Sequence, residues 1–134
     1  LEQIGITFAF AKANSAGSYV RGWASVVSQD GKPIEDWQGD VIDIDDLRQA
    51  AHEFINDVRV AKALHKGDQI GDVVESLIID DDIAKALGMS DTRRGWFVGM
   101  RVNDEAVQKR IRDGELKQFS IGGKGRRVEI ENHG

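Results

Sequence analysis

Two hydrophobic periods alternate along the chain. Across residues 6–13, Phe8 and Phe10 alternate with Ala9 and Ala11, which is the period of a strand. Ser15, Ala16, Gly17 and Ser18 turn the chain into a second strand over residues 19–28, with Val20, Gly22, Trp23 and Ala24 at its centre. Asp30-Gly31 is a strong turn signal, with Pro33 just beyond it. A short extended segment follows around residues 37–42. Asp43 then reads as a helix N-cap, and Asp45 and Asp46 fall in the first turn, where the helix dipole favours acids. Ile44, Leu47, Ala51, Phe54 and Ile55 recur at helical spacing, so the helix is predicted to run to about Asn56.

From Val58 the pattern reads as strand again: Val58, Val60, Ala61, Ala63 and Leu64 lead into His65, and Lys66, Gly67 and Asp68 turn the chain. Residues 70–79 form the clearest strand. A short helix over residues 81–87 ends at Gly88. Residues 96–102 are the next strand, with Trp96, Val98, Met100 and Val102 on one face. Asn103 is expected to cap a helix whose Val107 and Ile111 face inward, and Asp113-Gly114 stops it. Residues 116–121 and 127–130 close the series as two short strands. About seven strands and three helices, in no regular βαβ order, predict an α+β fold: a twisted, mostly antiparallel sheet or small barrel with helices outside it.

Composition narrows the field. The 134 residues amount to one domain, 40% hydrophobic and 31% charged, which is ordinary for a globular protein. Eighteen basic against 23 acidic residues leave a net charge of −5. That argues against a nucleic-acid binder, which carries a basic stripe. Lys124, Arg126 and Arg127 make a basic cluster too small for one. No apolar run is long enough for a membrane span, and no signal peptide is read at the start. With no cysteine there is no disulfide framework and no thiolate metal site.

Few residues carry chemistry by pattern. Of three histidines, His52 falls on the polar side of the first helix and His133 near the end of the chain; both read as solvated. His65 closes an apolar stretch before a glycine-containing turn, where a side chain can face a core or a cleft. Among seven serines, Ser120 lies in Phe119-Ser120-Ile121-Gly122-Gly123. Small residues after a serine let backbone N–H groups approach a substrate as an oxyanion hole requires, although a strand followed by a glycine turn reads the same way. Glu75 is the odd acid. Period-two alternation groups it with Val73, Leu77 and Ile79 on an apolar face, where it needs a partner, unless that face is the solvated one. Asp80, Asp81 and Asp82 open a helix and are explained as cap and dipole partners rather than a metal site. No cofactor is implied.

These pieces fall in a known order. Gly22-Trp23-Ala24-Ser25-Val26, Gln38-Gly39-Asp40-Val41-Ile42, Leu64-His65-Lys66 and Gly71-Asp72-Val73-Val74-Glu75-Ser76 are followed by Gly95-Trp96-Phe97-Val98-Gly99. Val102-Asn103-Asp104-Glu105, Arg110-Ile111-Arg112-Asp113-Gly114 and Phe119-Ser120-Ile121-Gly122-Gly123 complete the set. In order and spacing the chain resembles the XkdF-like phage serine proteases. These are related to the phage prohead (capsid maturation) proteases and distantly to the herpesvirus assemblins.

The resemblance implies an assemblin-like seven-stranded β-barrel surrounded by about three helices, and a serine endopeptidase. His65 matches the family's histidine and Ser120 its nucleophile, with backbone at Gly122 and Gly123 as part of the oxyanion hole. The implied partners are phage capsid and scaffold proteins and further copies of the chain, inside assembling proheads in the host cytoplasm. The family continues past the serine strand into a segment like Asp-Leu-x-Glu-x-Ser, and none follows Ile130. The expectation is therefore a domain truncated at its C-terminus, or a third triad member drawn from Glu75, Glu129 or Glu131, Glu75 being the first choice. Gly122, Gly123, Lys124 and Gly125 form a backbone with high conformational entropy, expected to be ordered by a partner copy, a downstream segment or substrate. Two rivals stand beside the enzyme. One is a catalytically degenerate protease-fold module serving capsid assembly or protein binding. The other is a ligand-binding barrel in which His65 and Ser120 are unrelated in space.

Overall fold

A computed structural model describes residues 6–35, 39–64, 71–121 and 128–131, with side chains over 9–35, 39–57 and 71–118. The elements in chain order are β1 (Ile6–Ala9), β2 (Lys12–Ala13), β3 (Tyr19–Gln29), β4 (Lys32–Pro33), α1 (Ile44–Leu64), β5 (Gly71–Ile79), α2 (Asp81–Ala86), β6 (Arg94–Val102), α3 (Glu105–Arg112), β7 (Gln118–Ile121) and β8 (Val128–Glu131). The larger sheet runs β2-β3-β6-β5, with β4 folded back on β3; the smaller runs β1-β7-β8. All pairings are antiparallel. The two sheets share one stretch of chain. Phe10 N–H donates to Lys117 O at 2.9 Å, on the β7 side, and Ala11 N–H donates to Arg21 O at 2.8 Å, on β3. One residue step thus carries the chain from one sheet to the other.

The inner face of β6 fills the core. Trp96, Val98, Met100 and Val102 are all buried, as their alternation predicts. Val20 of β3 lies opposite Met100. Leu47, Ala51 and Phe54 of α1, Val107 and Ile111 of α3, and Leu116 complete the cluster. Phe54 meets Trp96 edge to face at 5.5 Å, and Trp96 Nε1 donates to Ser76 Oγ at 2.8 Å. The indole is therefore buried without leaving its N–H unpaired.

Bulges decide which side chains reach this core. In β3 the register slips between Trp23 and Ser25 and again between Val26 and Ser28. Each slip adds a residue, so the buried set moves from Val20, Gly22 and Ala24 to Val27. In β5 a slip between Val73 and Glu75 does the same. Simple alternation groups Glu75 with Val73, Leu77 and Ile79; the bulge separates it from Val73. Glu75 is exposed, as are its neighbours Val74, Ser76 and Leu77, while Ile78 and Ile79 are buried.

The helices begin where acids cap them. Asp43 accepts from Asp45 N–H at 3.1 Å at the head of α1, and Asp80 accepts from Ile83 N–H at 2.8 Å at the head of α2. Asp104, not Asn103, caps α3, accepting from Val107 N–H at 3.0 Å. Asn103 instead donates to Asp72 across to β5 at 3.3 Å. The Asp30-Gly31 turn is as predicted, with φ of 55° and 75°, the left-handed pair of a tight hairpin between β3 and β4.

Two further expectations are corrected. Residues 58–64 are the last turns of α1, not a strand. Between Gly39 and Gly67 the sequence has neither glycine nor proline to stop a helix, and Val58 and Ala61 continue its three-residue steps from Ile55. Of the segment around residues 37–42, residues 37 and 38 lie outside the described residues, and Val41 forms an isolated bridge to Glu35. Lastly, a closed seven-stranded barrel is not what the described residues form. The five-stranded sheet is open with β5 at one edge, and among the described residues no pairing joins β5 to β8, the edge of the smaller sheet. Ladder closure needs a register between strands far apart in sequence, which local patterning does not encode.

Trp96→Ala should lower unfolding stability by about 3–5 kcal/mol, because it removes the largest buried side chain and leaves a cavity against Phe54. Urea denaturation followed by circular dichroism measures this, and a loss under about 1 kcal/mol would show that the core does not depend on that contact. A second outcome concerns pH. Asp91, just before β6, is held to about 2 from an ordinary 3.8, mainly by hydrogen bonds from the Arg93 side chain and then its N–H. With a folded value below the unfolded one, its contribution is complete above about pH 4 and lost as pH falls towards 2. The carboxylate is 37% exposed, so screening keeps the effect below about 1 kcal/mol. The stability gap between wild type and Asp91→Asn should be constant near neutrality and vanish by about pH 2. A gap unchanged over that window would count against the pair.

Candidate active site

Ser120 lies on β7, the central strand of the smaller sheet. Its register partners are Thr7 on β1 and Glu129 on β8, so the proposed nucleophile has a ladder on either side. The strand is set by what precedes it. Gly114, at φ 74°, ends α3, and Leu116 is buried in the core with its N–H donating to Arg110 O at 3.2 Å. Phe10 then pairs to Lys117. Three anchors within four residues therefore fix where β7 starts and which of its residues Thr7 meets.

His65 follows Leu64, the last residue of α1, and lies outside the described residues. So do Gly122, Gly123, Lys124, Arg126, Arg127 and His133, and with them the expected oxyanion backbone and glycine-rich stretch. The strand expected to deliver His65 is replaced by a helix C-terminus. Glu75 stands on β5, the strand after the His65 segment. It is opposite Gly99 of β6, which in turn lies opposite Arg21 of β3. A side chain at position 99 would collide with Glu75 Oε1 and with the Tyr19 hydroxyl, so this glycine leaves room for both groups on the outer face of the sheet. Tyr19 is the neighbour that sequence reading missed. Its only signal is a register match across two strands.

In ladder order, β6, β3 and the β1–β2 stretch stand between Glu75 and Ser120. Glu129 is closer by register, directly across from Ser120, and Glu131 is across from Gln118. Of the three acids weighed for the third triad position, the described backbone thus brings Glu129 beside the serine and puts Glu75 on the other sheet.

The other polar groups have structural work. Ile83 N–H, and after it Arg48, hold the Asp80 carboxyl below the usual range, consistent with its role as the cap of α2. Arg48 also pairs with Asp45 at 2.6 Å, and Arg94 Nε with Asp81 at 2.9 Å. His52 is exposed on α1 and borders a cleft of about 370 Å³ with Arg48, Ser76 and Asp82. Ser76 Oγ there already accepts the Trp96 N–H. Among the described residues no three histidine or acidic side chains are placed to hold a metal ion.

Comparison with curated proteins gives no match, and neither does comparison with solved structures. A family model described as "Putative phage serine protease XkdF" does match, over residues 12–129. That span runs from β2 into β8 and takes in His65, Glu75 and Ser120. With nearly the whole described fold inside one family model, the chain belongs to the XkdF family of phage serine proteases.

Proposed function

We propose that the chain is a serine endopeptidase of the prohead maturation type, cutting phage scaffold and capsid proteins through an acyl-enzyme. The observation that carries this reading is the family match that spans His65 and Ser120 together. Ser120 on a strand paired on both sides supports it, since a nucleophile benefits from a rigid mount. Ser120 Oγ attacks the scissile carbonyl while His65 accepts its proton. Collapse of the tetrahedral intermediate breaks the C–N bond, and His65 returns the proton to the leaving amine. Water, deprotonated by the same imidazole, then hydrolyses the ester. Backbone N–H groups at Gly122 and Gly123 stabilise the oxyanion in this reading. Glu75 is the proposed orienting acid for His65, because its strand begins directly after the histidine segment and its carboxylate is exposed. The workplace is the assembling prohead in the host cytoplasm, with capsid and scaffold chains as partners.

A fluorophosphonate probe tests the chemistry. Wild type should label, Ser120→Ala should not, and His65→Gln should label on the order of 10⁴-fold more slowly or worse. Glu75→Gln should slow labelling strongly while leaving the thermal transition in place; if Glu129→Gln does so instead, the orienting role moves to the acid opposite Ser120. Wild type that folds but never labels would leave the non-catalytic assembly module as the better reading. A second measurement addresses the glycines after Ser120. If association between copies orders residues 122–125, specific activity should rise with protein concentration. A flat value across about a thousandfold dilution would reject that dependence.

A further inference from the structure

We propose that the cleft between Pro33, the Val41–Ile42 segment and the start of α2 is a docking groove for a peptide segment of mixed basic and aliphatic residues. The cleft holds about 410 Å³, within the range of small-ligand sites. Two neighbouring aliphatic side chains lie open in it: Val41 is 54% exposed and Ile42 40%. A backbone bridge pairs Val41 with Glu35. Adjacent aliphatic side chains left open and rimmed by charge are a mark of interaction surfaces.

Charge selects the occupant. Four carboxylates border the cleft, Asp43, Asp80, Asp81 and Asp82, against two guanidiniums, those of Arg94 and of Arg48 behind Asp80. Asp80 is engaged as a cap and by Arg48, and Asp81 by Arg94. Asp82 has no hydrogen-bond or ion-pair partner among the described residues. It borders both this cleft and the one beside His52. The positive ends of α1 and α2 offset part of this charge but do not reverse it. An acidic or nucleic-acid ligand is repelled, and no metal site is formed by the described residues. A lysine or arginine beside a leucine or valine satisfies both parts of the surface: the aliphatic group covers Val41 and Ile42, and the cation meets Asp82. The inference uses no residue of the Ser120 mechanism.

Fluorescence anisotropy on the Ser120→Ala protein tests it, with fluorescein-labelled Lys-Leu-Lys-Val-Arg-Lys and the control Glu-Leu-Glu-Val-Glu-Glu. The basic peptide should bind at least about tenfold more tightly than the acidic one and weaken as salt is added. Asp82→Asn should weaken binding about twofold to fivefold, and Asp82→Lys by more than that. Val41→Ser should weaken it about fivefold while leaving the salt dependence in place. Circular dichroism melts confirm that each variant is folded; Asp82 and Val41 are both exposed, so two separate surface changes bear on one question. Equal binding of the two peptides, or no effect of Asp82→Lys, overturns the proposal. Self-association abolished by Asp82→Lys without peptide binding overturns it in favour of a second copy as the occupant. Loss of peptide binding alongside intact fluorophosphonate labelling of the wild type removes the groove and leaves the protease reading standing.

Discussion

Everything in this fold hangs on β6 having to do two jobs at once. It hydrogen-bonds to β3 on one side and β5 on the other, and its inner face supplies the four side chains around which α1 and α3 close. A strand paired on both edges has no freedom to slide without breaking two ladders, and sliding by one residue would send Trp96 and Met100 to solvent. That double constraint makes the larger sheet a rigid base. The indole of Trp96 joins the layers through Phe54 of α1 and Ser76 of β5. The outer face carries a second, shallower set of contacts: Trp23 and Phe97 meet edge to face at 5.3 Å, and Arg93 stacks over Trp23 at the same distance.

The smaller sheet is attached to this base by little chain but by well-placed contacts. The step from Phe10 to Ala11 switches ladders, and Leu116 buries the entry to β7 in the common core. Ser120 is thus carried on a strand whose start is decided by core packing and by α3, although its own ladder partners are short. A residue mounted this way takes its position from the hydrophobic core.

Much of this was legible in the residues. The alternation of Trp96, Val98, Met100 and Val102, the helical stripe from Ile44 to Phe54, the Asp30-Gly31 hairpin and the Gly88 and Gly114 stops are all local signals, and each describes the element it predicts. They are legible because periodicity and left-handed φ are properties of a few consecutive residues. The ordered set of short motifs was enough to point to the family. Where reading failed, the local signal was ambiguous. Val58 and Val60 alternate like a strand yet sit in a chain with nothing to end the helix before them. Asn103 and Asp104 are both good caps, and only the path of the chain into α3 chooses between them.

The residues alone gave most of the elements, their order and the family, and they singled out His65 and Ser120 as candidates for its chemistry. What only the tertiary structure decided is non-local. The bulge beside Val74 moves Glu75 from an apolar face to an exposed one, facing Gly99 and Tyr19. Register places Glu129, nine positions after Ser120 in sequence, directly across from it. The open ladder order replaces the expected closed barrel. Each of these depends on how strands distant in sequence align, and that alignment is settled by the shared core rather than by any short run of residues.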